Sequence, residues 1–226
     1  MSEKGKQCRV KRKTIDKEAI VKEICEAAKL YKENLVGKKF IYVFDGRYIE
    51  VLFKRRNYKH LTGVVCKMSA EDFYKDALKN KLQASQIYFN QDHPYALCKR
   101  KVKHLSAISN LASGESFMLE EVVTNTKTYK FGTTDLEFSL CMNKERDDQG
   151  HEIGDCYIVE SLRDGDEVSK STHAFEVTHI LSKKNTESKY TDILYIDQRE
   201  SIATLPADVR ALIDERIIAD RNGTGK

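Results

Sequence analysis

The order of the sequence patterns predicts an α+β fold, in which N-terminal helices and a β-hairpin precede an antiparallel sheet of about four to six strands. Apolar residues recur at helical spacing within 15–35 and 98–112. After residue 115 the chain consists of short segments rich in β-branched and aromatic residues, with polar turns and no helices between them. The segment 204–221 carries apolar residues on one helical face and predicts a C-terminal amphipathic helix.

The first half of the chain contains clear start and turn signals. The segments "FIYVF" and "YIEVLF" flank Asp45 and Gly46, a pair that favours a tight hairpin turn. Ser69 is a typical N-cap, and acidic residues fill the first turn of the helix that it begins. Pro94 occupies an early position of the next predicted helix.

Six short segments carry the strand pattern in the second half: "SFMLEEVVT", "TYKFG", "LEFSLCM", "CYIVESL", "FEVTHILS" and "DILYID". We expect one domain over residues 14–221. Residues 1–13, with six cations and few apolar anchors, predict a basic disordered arm, and 222–226 predict a flexible tail.

Composition limits the class of protein. The 226 residues are 40% apolar and 33% charged, and no run approaches the roughly eighteen apolar residues of a membrane span. The basic N-terminus lacks the apolar stretch of a secretory signal, so we expect a cytoplasmic protein that does not bind membranes. The six cysteines are isolated in the sequence, which favours reduced thiols packed as small apolar groups.

The net charge of +4 conceals an asymmetry between the two halves of the chain. Residues 1–104 carry 25 Lys and Arg against 12 Asp and Glu, a balance of +13, whereas residues 105–226 have a balance of −9. Such an excess attracts polyanions and releases counterions when phosphates bind. Nucleic acid is the favoured partner, although charge alone also fits an acidic protein.

The sequence lacks the motifs of several classes of nucleotide-binding and metal-dependent proteins. The sequence has no Walker loop, no dinucleotide-binding glycine pattern and no zinc-ligand spacing, so we expect no cofactor. The metal-binding Asp/Glu-x-Lys triplet of restriction-type nucleases occurs only at 187–189, in a polar loop. The acidic cluster "RDDQGHEIGD" fits the solvated tip of a hairpin better than a cation site.

The stretch "FKRRNYKHLTGV" carries the strongest chemical signal. An RNase without a metal needs a proton-transfer group, a hydrogen-bond donor and fixed cations for the phosphoryl oxygens. His60 offers the first, Thr62 the second, and Arg55, Arg56 and Lys59 the third. The neighbouring cations are expected to lower the pKa of His60. The alternative is an ordinary surface histidine in a basic loop.

The segment "NYKHLTGV", followed by "SAEDFYKDAL", resembles the signature of the fourth phage Barnase–EndoU–colicin–RelE-like nuclease family. Members show an aromatic residue, then His-Leu-Thr-Gly, then a helix that begins Ser-Ala-x-x-Phe-Tyr. The similarity extends over about residues 15–197. It implies leading helices with an antiparallel sheet, and a metal-independent ribonuclease that serves as a toxin or an accessory of an integrated element.

The resemblance carries over to His60 and Thr62 directly, and it relates Ser161 in "YIVESL" to a polar position on a later strand. A basic neighbour is expected beside that position, but here the neighbour is Glu160.

Other candidates have simpler alternatives. Lys127 and Lys130 alternate on a strand edge and could contact phosphate, although charged edges also prevent aggregation. His173, or less plausibly His179, is a candidate second proton-transfer group, with an ordinary structural histidine as the alternative. Four cations crowd one predicted helix as a phosphate-binding patch: Lys99, Arg100, Lys101 and Lys103. Three aromatic residues could stack on bases or belong to the core: Tyr58, Tyr88 and Phe89.

The sequence therefore predicts a metal-independent endoribonuclease of a phage or integrated element, which cuts RNA by attack of the 2′-hydroxyl group with His60 as the proton-transfer group. Expected partners are RNA, such as tRNA or another structured cellular RNA, and a cognate antitoxin or host protein. The alternative is a catalytically silent inhibitor or regulator that binds nucleic acid or protein through the same basic surface.

Overall fold

The computed structural model describes the backbone of residues 3–217 and the side chains of residues 17–217. This part of the chain contains six α-helices: α1 (Glu3–Asn34), α2 (Tyr58–Thr62), α3 (Ala70–Leu78), α4 (Tyr95–Leu105), α5 (Ile108–Leu111) and α6 (Ala207–Arg210). It contains ten strands: β1 (Lys38–Phe44), β2 (Arg47–Leu52), β3 (Val65–Cys66), β4 (Ile87–Tyr88), β5 (Phe117–Val123), β6 (Thr128–Thr134), β7 (Phe138–Arg146), β8 (Glu152–Asp164), β9 (His173–Lys184) and β10 (Asp192–Ile196).

Seven of the strands close into a barrel. Their order is β1-β2-β8-β7-β6-β5-β9, with β9 pairing back to β1, and β10 extends this sheet along β9. All six strands predicted in the second half of the chain are present. The sheet is larger than the four to six strands expected, because the β1–β2 hairpin joins the later strands instead of standing apart.

One strand pairing in the barrel, between β2 and β8, is parallel, and it determines where the chain leaves the sheet. β2 and β8 share only two residue pairs, Val51↔Tyr157 and Leu52↔Ile158, whereas the other pairings within the barrel are antiparallel. β2 ends at this pairing while β8 continues. The segment that follows β2 therefore begins beside β8.

The helices cover this side of the barrel. Ile24, Ala27 and Tyr31 of α1 are buried in the main core together with side chains of α2, α3 and α4. Ser69 caps α3 as predicted, and its hydroxyl accepts a hydrogen bond from the backbone N–H of Asp72. None of the described helices is long and apolar enough to span a membrane.

The predicted C-terminal amphipathic helix over 204–221 is not confirmed as one continuous helix, since the described part is helical only over 207–210 and 215–217. A 3-10 turn at Ile202–Thr204 is followed by α6, and Ile213 then forms a parallel bridge with Tyr190. Leu205 and Val209 are buried, with Ile213 and Tyr190, against the outer face of β1 and β9. Apolar spacing thus reflects packing of a short helix and an extended segment on the sheet. Residues 218–221 of the prediction lie outside the described residues.

The N-terminal helix is longer than the stretch 15–35 in which apolar residues recur at helical spacing, since the backbone is helical from Glu3. The side chains of 3–16 and all of 222–226 lie outside the described residues. The expected division into a basic arm, one domain and a tail stays a prediction.

The burial of α2 generates a test of stability. Leu61 is completely buried, whereas Leu30 on α1 is 39% exposed. Leu61→Ala is expected to lower the free energy of unfolding by roughly 2–5 kcal/mol, because it removes buried methyl groups and leaves a cavity. Leu30→Ala is expected to change it by less than about 1 kcal/mol. Urea denaturation checks both, and equal losses would contradict the packing of α2.

Candidate active site

A groove of about 760 Å³ lies between α2 and the strands β6, β7 and β8. We call it the α2 groove. Charged and polar side chains from distant parts of the sequence line it, among them Arg56, His60, Lys127, Asn143, Lys144 and Glu160. Such a concave site with converging titratable groups is the usual form of an active site.

His60 reaches the α2 groove because of the short helix that carries it. Within α2, Tyr58 and Leu61 are buried, and His60 is exposed between them. Gly63 ends the helix with φ at 72°, a left-handed conformation that glycine adopts without strain. Asn57 donates a 2.9 Å hydrogen bond to the carbonyl of Val159, which ties the start of α2 to β8.

Glu160 enters the same groove from β8 through a β-bulge. Met142 pairs with Val159 and Cys141 pairs with Ser161, so Glu160 is the extra residue of β8. A bulge redirects the side chain that it inserts. Its carboxylate accepts hydrogen bonds from Lys127 Nζ at 2.6 Å and Asn143 Nδ2 at 3.3 Å.

The surroundings of His60 favour its neutral form. Partial desolvation lowers the pKa of His60 below the ordinary 6.5, and the nearby positive charges of Lys59 and Lys101 lower it further. The negative charge of Glu160 acts in the opposite direction. A neutral imidazole beside a carboxylate can accept a proton and is then stabilised as the imidazolium ion.

The other residues predicted from the HLTG motif do not meet His60 in the groove. Lys59 donates to the carbonyls of Cys66 at 2.8 Å and Met68 at 2.6 Å. Thr62 is fully buried, and its hydroxyl donates to the carbonyl of Lys59 at 2.7 Å. Both side chains therefore hold the turn around α2.

The two neighbouring arginines point to different surfaces. Arg55 lines a separate cleft between α1 and α3. Arg56 lines the α2 groove and forms an ion pair with Glu145, which also pairs with Lys54. Of the two arginines, Arg56 is therefore the one placed to contact a ligand near His60.

The later strands bring Lys127 to the α2 groove, whereas Lys130 lines an adjoining pocket and pairs with Glu121. Ser161 is buried and does not line the groove. His173 is exposed, with Nδ1 3.8 Å from Glu120 Oε2, and it does not line the groove either.

His179 and the candidate stacking residues have other surroundings. His179 is buried beside the carbonyl of Ser201, at 2.9 Å from Nε2. Tyr58 is in the core, while Tyr88 is exposed. The aromatic side chain that lines the groove is instead Tyr129 of β6.

The cations of α4 do not form one patch. Lys99 and Lys103 are exposed, and Arg100 pairs with Asp164 at 2.7 Å. Lys101 is buried and faces the interior near His60. The four residues thus lie on different faces of α4.

Sequence reasoning missed Glu160 as a member of the site. The signal was its departure from the basic neighbour expected beside Ser161, but the bulge that directs it to His60 is visible only in the folded sheet. Within the described residues, no three His, Cys, Asp or Glu side chains are grouped as a metal site requires.

Comparison with curated proteins and with solved structures gives no match. A family model described as phage-Barnase-EndoU-ColicinE5/D-RelE like nuclease 4 matches residues 23–199, which include the whole α2 groove. This match confirms the resemblance expected from the motif around His60. Because it covers most of the sequence, the chain belongs to this nuclease family.

Proposed function

We propose that the protein is a metal-independent endoribonuclease, encoded by a phage or an integrated mobile element, that cleaves RNA with His60 as the proton-transfer group. The observation that carries the proposal is the α2 groove, where His60 and Glu160 meet several cations. Membership of a nuclease family supports cleavage of nucleic acid. The basic balance of residues 1–104 supports a polyanionic substrate.

In the proposed reaction, neutral His60 accepts the proton of the ribose 2′-hydroxyl group as its oxygen attacks phosphorus. The new bond joins the 2′ oxygen to phosphorus, the bond to the 5′ oxygen breaks, and water supplies the proton that this leaving oxygen takes up. The products are a 2′,3′-cyclic phosphate and a 5′-hydroxyl end. No electron acceptor or metal takes part in this balance.

Glu160 and the groove cations have distinct roles in this mechanism. The Glu160 carboxylate stabilises the imidazolium ion that forms on His60. Arg56 and Lys127 line the groove and are proposed to bind the phosphate backbone in place of their glutamate partners, because guanidinium and ammonium groups form charge-assisted hydrogen bonds with phosphate. Tyr129 provides an aromatic side chain to the same groove.

The proposed setting is the cytoplasm of the host cell, where a structured RNA such as tRNA would be the substrate. A protein that cuts cellular RNA requires control, so a cognate antitoxin or host protein is a further proposed partner. The α2 groove is the surface that such an inhibitor would cover.

The first test is cleavage of total cellular RNA by the purified protein in excess chelator. His60→Ala is expected to reduce the rate by about a hundredfold or more, the usual contribution of a general acid–base group. The matched control is His151→Ala, at the exposed β7–β8 hairpin. Products are expected to end in 2′,3′-cyclic phosphate, and DNA, which lacks the 2′-hydroxyl group, is expected to remain intact.

Two outcomes of this test contradict the proposal. Cleavage that stops in chelator would show that a metal is required. If no RNA is cut in a His60-dependent way, while toxicity or inhibition of a host enzyme persists in His60→Ala, the protein is a silent binder instead.

The second test is the pH dependence of kcat/KM. If neutral His60 is the base, the rate rises with pH through a midpoint below the ordinary 6.5, because the pKa of His60 is lowered by desolvation and by neighbouring cations. Glu160→Gln removes a negative charge that raises this pKa, so the midpoint is expected to move to lower pH. Glu26→Gln, on the exposed face of α1, is the matched control. A rate that falls over the same range would exclude His60 as the base.

A further inference from the structure

Lys101 is an unusually buried lysine, with only 8% of its surface exposed. Its side chain packs on Gly63, the residue that ends α2, so closely that a Cβ on Gly63 would lie 2.9 Å from Lys101 Cδ. Cys98, on the same helix, donates its thiol hydrogen to the carbonyl of Gly63 at 2.9 Å. The aliphatic part of the Lys101 side chain is therefore held against Gly63, which follows His60 by three positions in the sequence.

The Lys101 ammonium group has no compensating acid. Among the described residues, no carboxylate or carbonyl oxygen accepts a hydrogen bond from it or pairs with it. The pKa of Lys101 is lowered by burial first, and then by the positive charge of Arg163. Lysine is rarely buried unless it is paired, because desolvation of an isolated charge is unfavourable. Such a group indicates a functional site.

Arg163 is a second cation that has no acidic partner in the part of the chain that the structure describes. Its terminal nitrogen lies 3.3 Å from Thr124 Oγ1 and 3.5 Å from the hydroxyl of Tyr129, both neutral groups. Its Nε is buried and has no hydrogen-bond partner. The guanidinium carbon lies 5.7 Å from the centre of the Tyr129 ring, which lines the α2 groove.

We propose that Lys101 and Arg163 form an anion pocket beside His60 that takes the phosphate group on which His60 acts. Both cations have unused donors. Lys101 packs on Gly63 at the end of α2, and Arg163 lies beside the ring of Tyr129, which lines the groove. A phosphate there supplies the negative charge that the protein does not provide. This inference rests on the proposed function, since it names the residues that would hold the scissile phosphate.

The pocket separates this phosphate from those of the flanking nucleotides. Arg56 and Lys127 are each paired with a glutamate, so a phosphate must displace a carboxylate to bind them. Lys101 and Arg163 face no such competition. One phosphate therefore binds most strongly at Lys101 and Arg163, and Arg56 and Lys127 contact the phosphates of the flanking nucleotides.

The experiment measures binding of inorganic phosphate, which requires no cleavage, by following the NMR signals of His60 during titration. Phosphate is expected to raise the pKa of His60 in the unaltered protein, because a bound anion stabilises the imidazolium ion. Lys101→Met and Arg163→Gln are each expected to weaken phosphate binding by about tenfold or more, the loss of one hydrogen bond between charged groups. Lys22→Met, on the exposed face of α1, is the matched control and is expected to bind normally.

Thermal unfolding of the same variants distinguishes a binding role from a structural one. Methionine keeps the length of the lysine stem and removes a buried charge without a partner, so Lys101→Met is expected to have an equal or higher Tm. A lower Tm with unchanged phosphate affinity would show that Lys101 is only structural, and the proposal would fail.

Phosphate binding and RNA cleavage separate the two proposals. Phosphate binding that depends on Lys101 and Arg163, in a protein that cuts no RNA, would support the pocket and contradict the proposed nuclease activity. Cleavage at the normal rate by both variants, with phosphate bound as in the unaltered protein, would overturn the pocket and leave the nuclease activity in place.

Discussion

The packing of Tyr58 holds the helix on which the candidate site depends. Its ring centre lies 5.0 Å from that of Tyr31 on α1 and 5.2 Å from that of Tyr74 on α3, and its hydroxyl donates to the carbonyl of Ile24 at 2.6 Å. A helix of five residues is too short to be stable by itself, so its position comes from these contacts. The orientation of His60 is consequently a property of the three-helix contact as a whole.

Local signals were sufficient for most of the secondary structure. The Asp45-Gly46 turn, the Ser69 cap and the six later strands follow from residue types that determine backbone conformation over a few positions. Closure of the barrel was beyond such signals. It depends on pairing of β1 with β9 and of β2 with β8, which lie more than a hundred residues apart in the sequence.

The C-terminal segment shows a second limit. Val209 and Ile213 are four residues apart, a spacing that fits one face of a helix equally well as two contacts of a bent segment on a sheet. In the structure Val209 lies in the short helix α6, and Ile213 forms the bridge to Tyr190 that interrupts the helix. Periodicity reports which residues are buried, and the partner surface decides the conformation.

The candidate site was predictable only where the motif itself carries chemistry. His60 reaches the groove, but Lys59 and Thr62, next to it in sequence, bond to carbonyls of their own loop. Short helices and turns need hydrogen bonds to backbone groups, and residues within the motif supply them. The groups that surround His60 instead come from α4 and β8, as Lys101 and Glu160 do. Sequence spacing contains no information about this contact.

The distribution of paired and unpaired charges around His60 links phosphate binding to proton uptake in the proposed reaction. Glu160 is shared between Lys127 and Asn143, and no acid within residues 17–217 pairs with Lys101. A phosphate at Lys101 and Arg163 would add a second negative charge near His60, beside that of Glu160. Two nearby anions would then stabilise the protonated form of the imidazole. Substrate binding and proton acceptance would thus favour each other, since the phosphate adds to the stabilisation that Glu160 already gives the protonated imidazole.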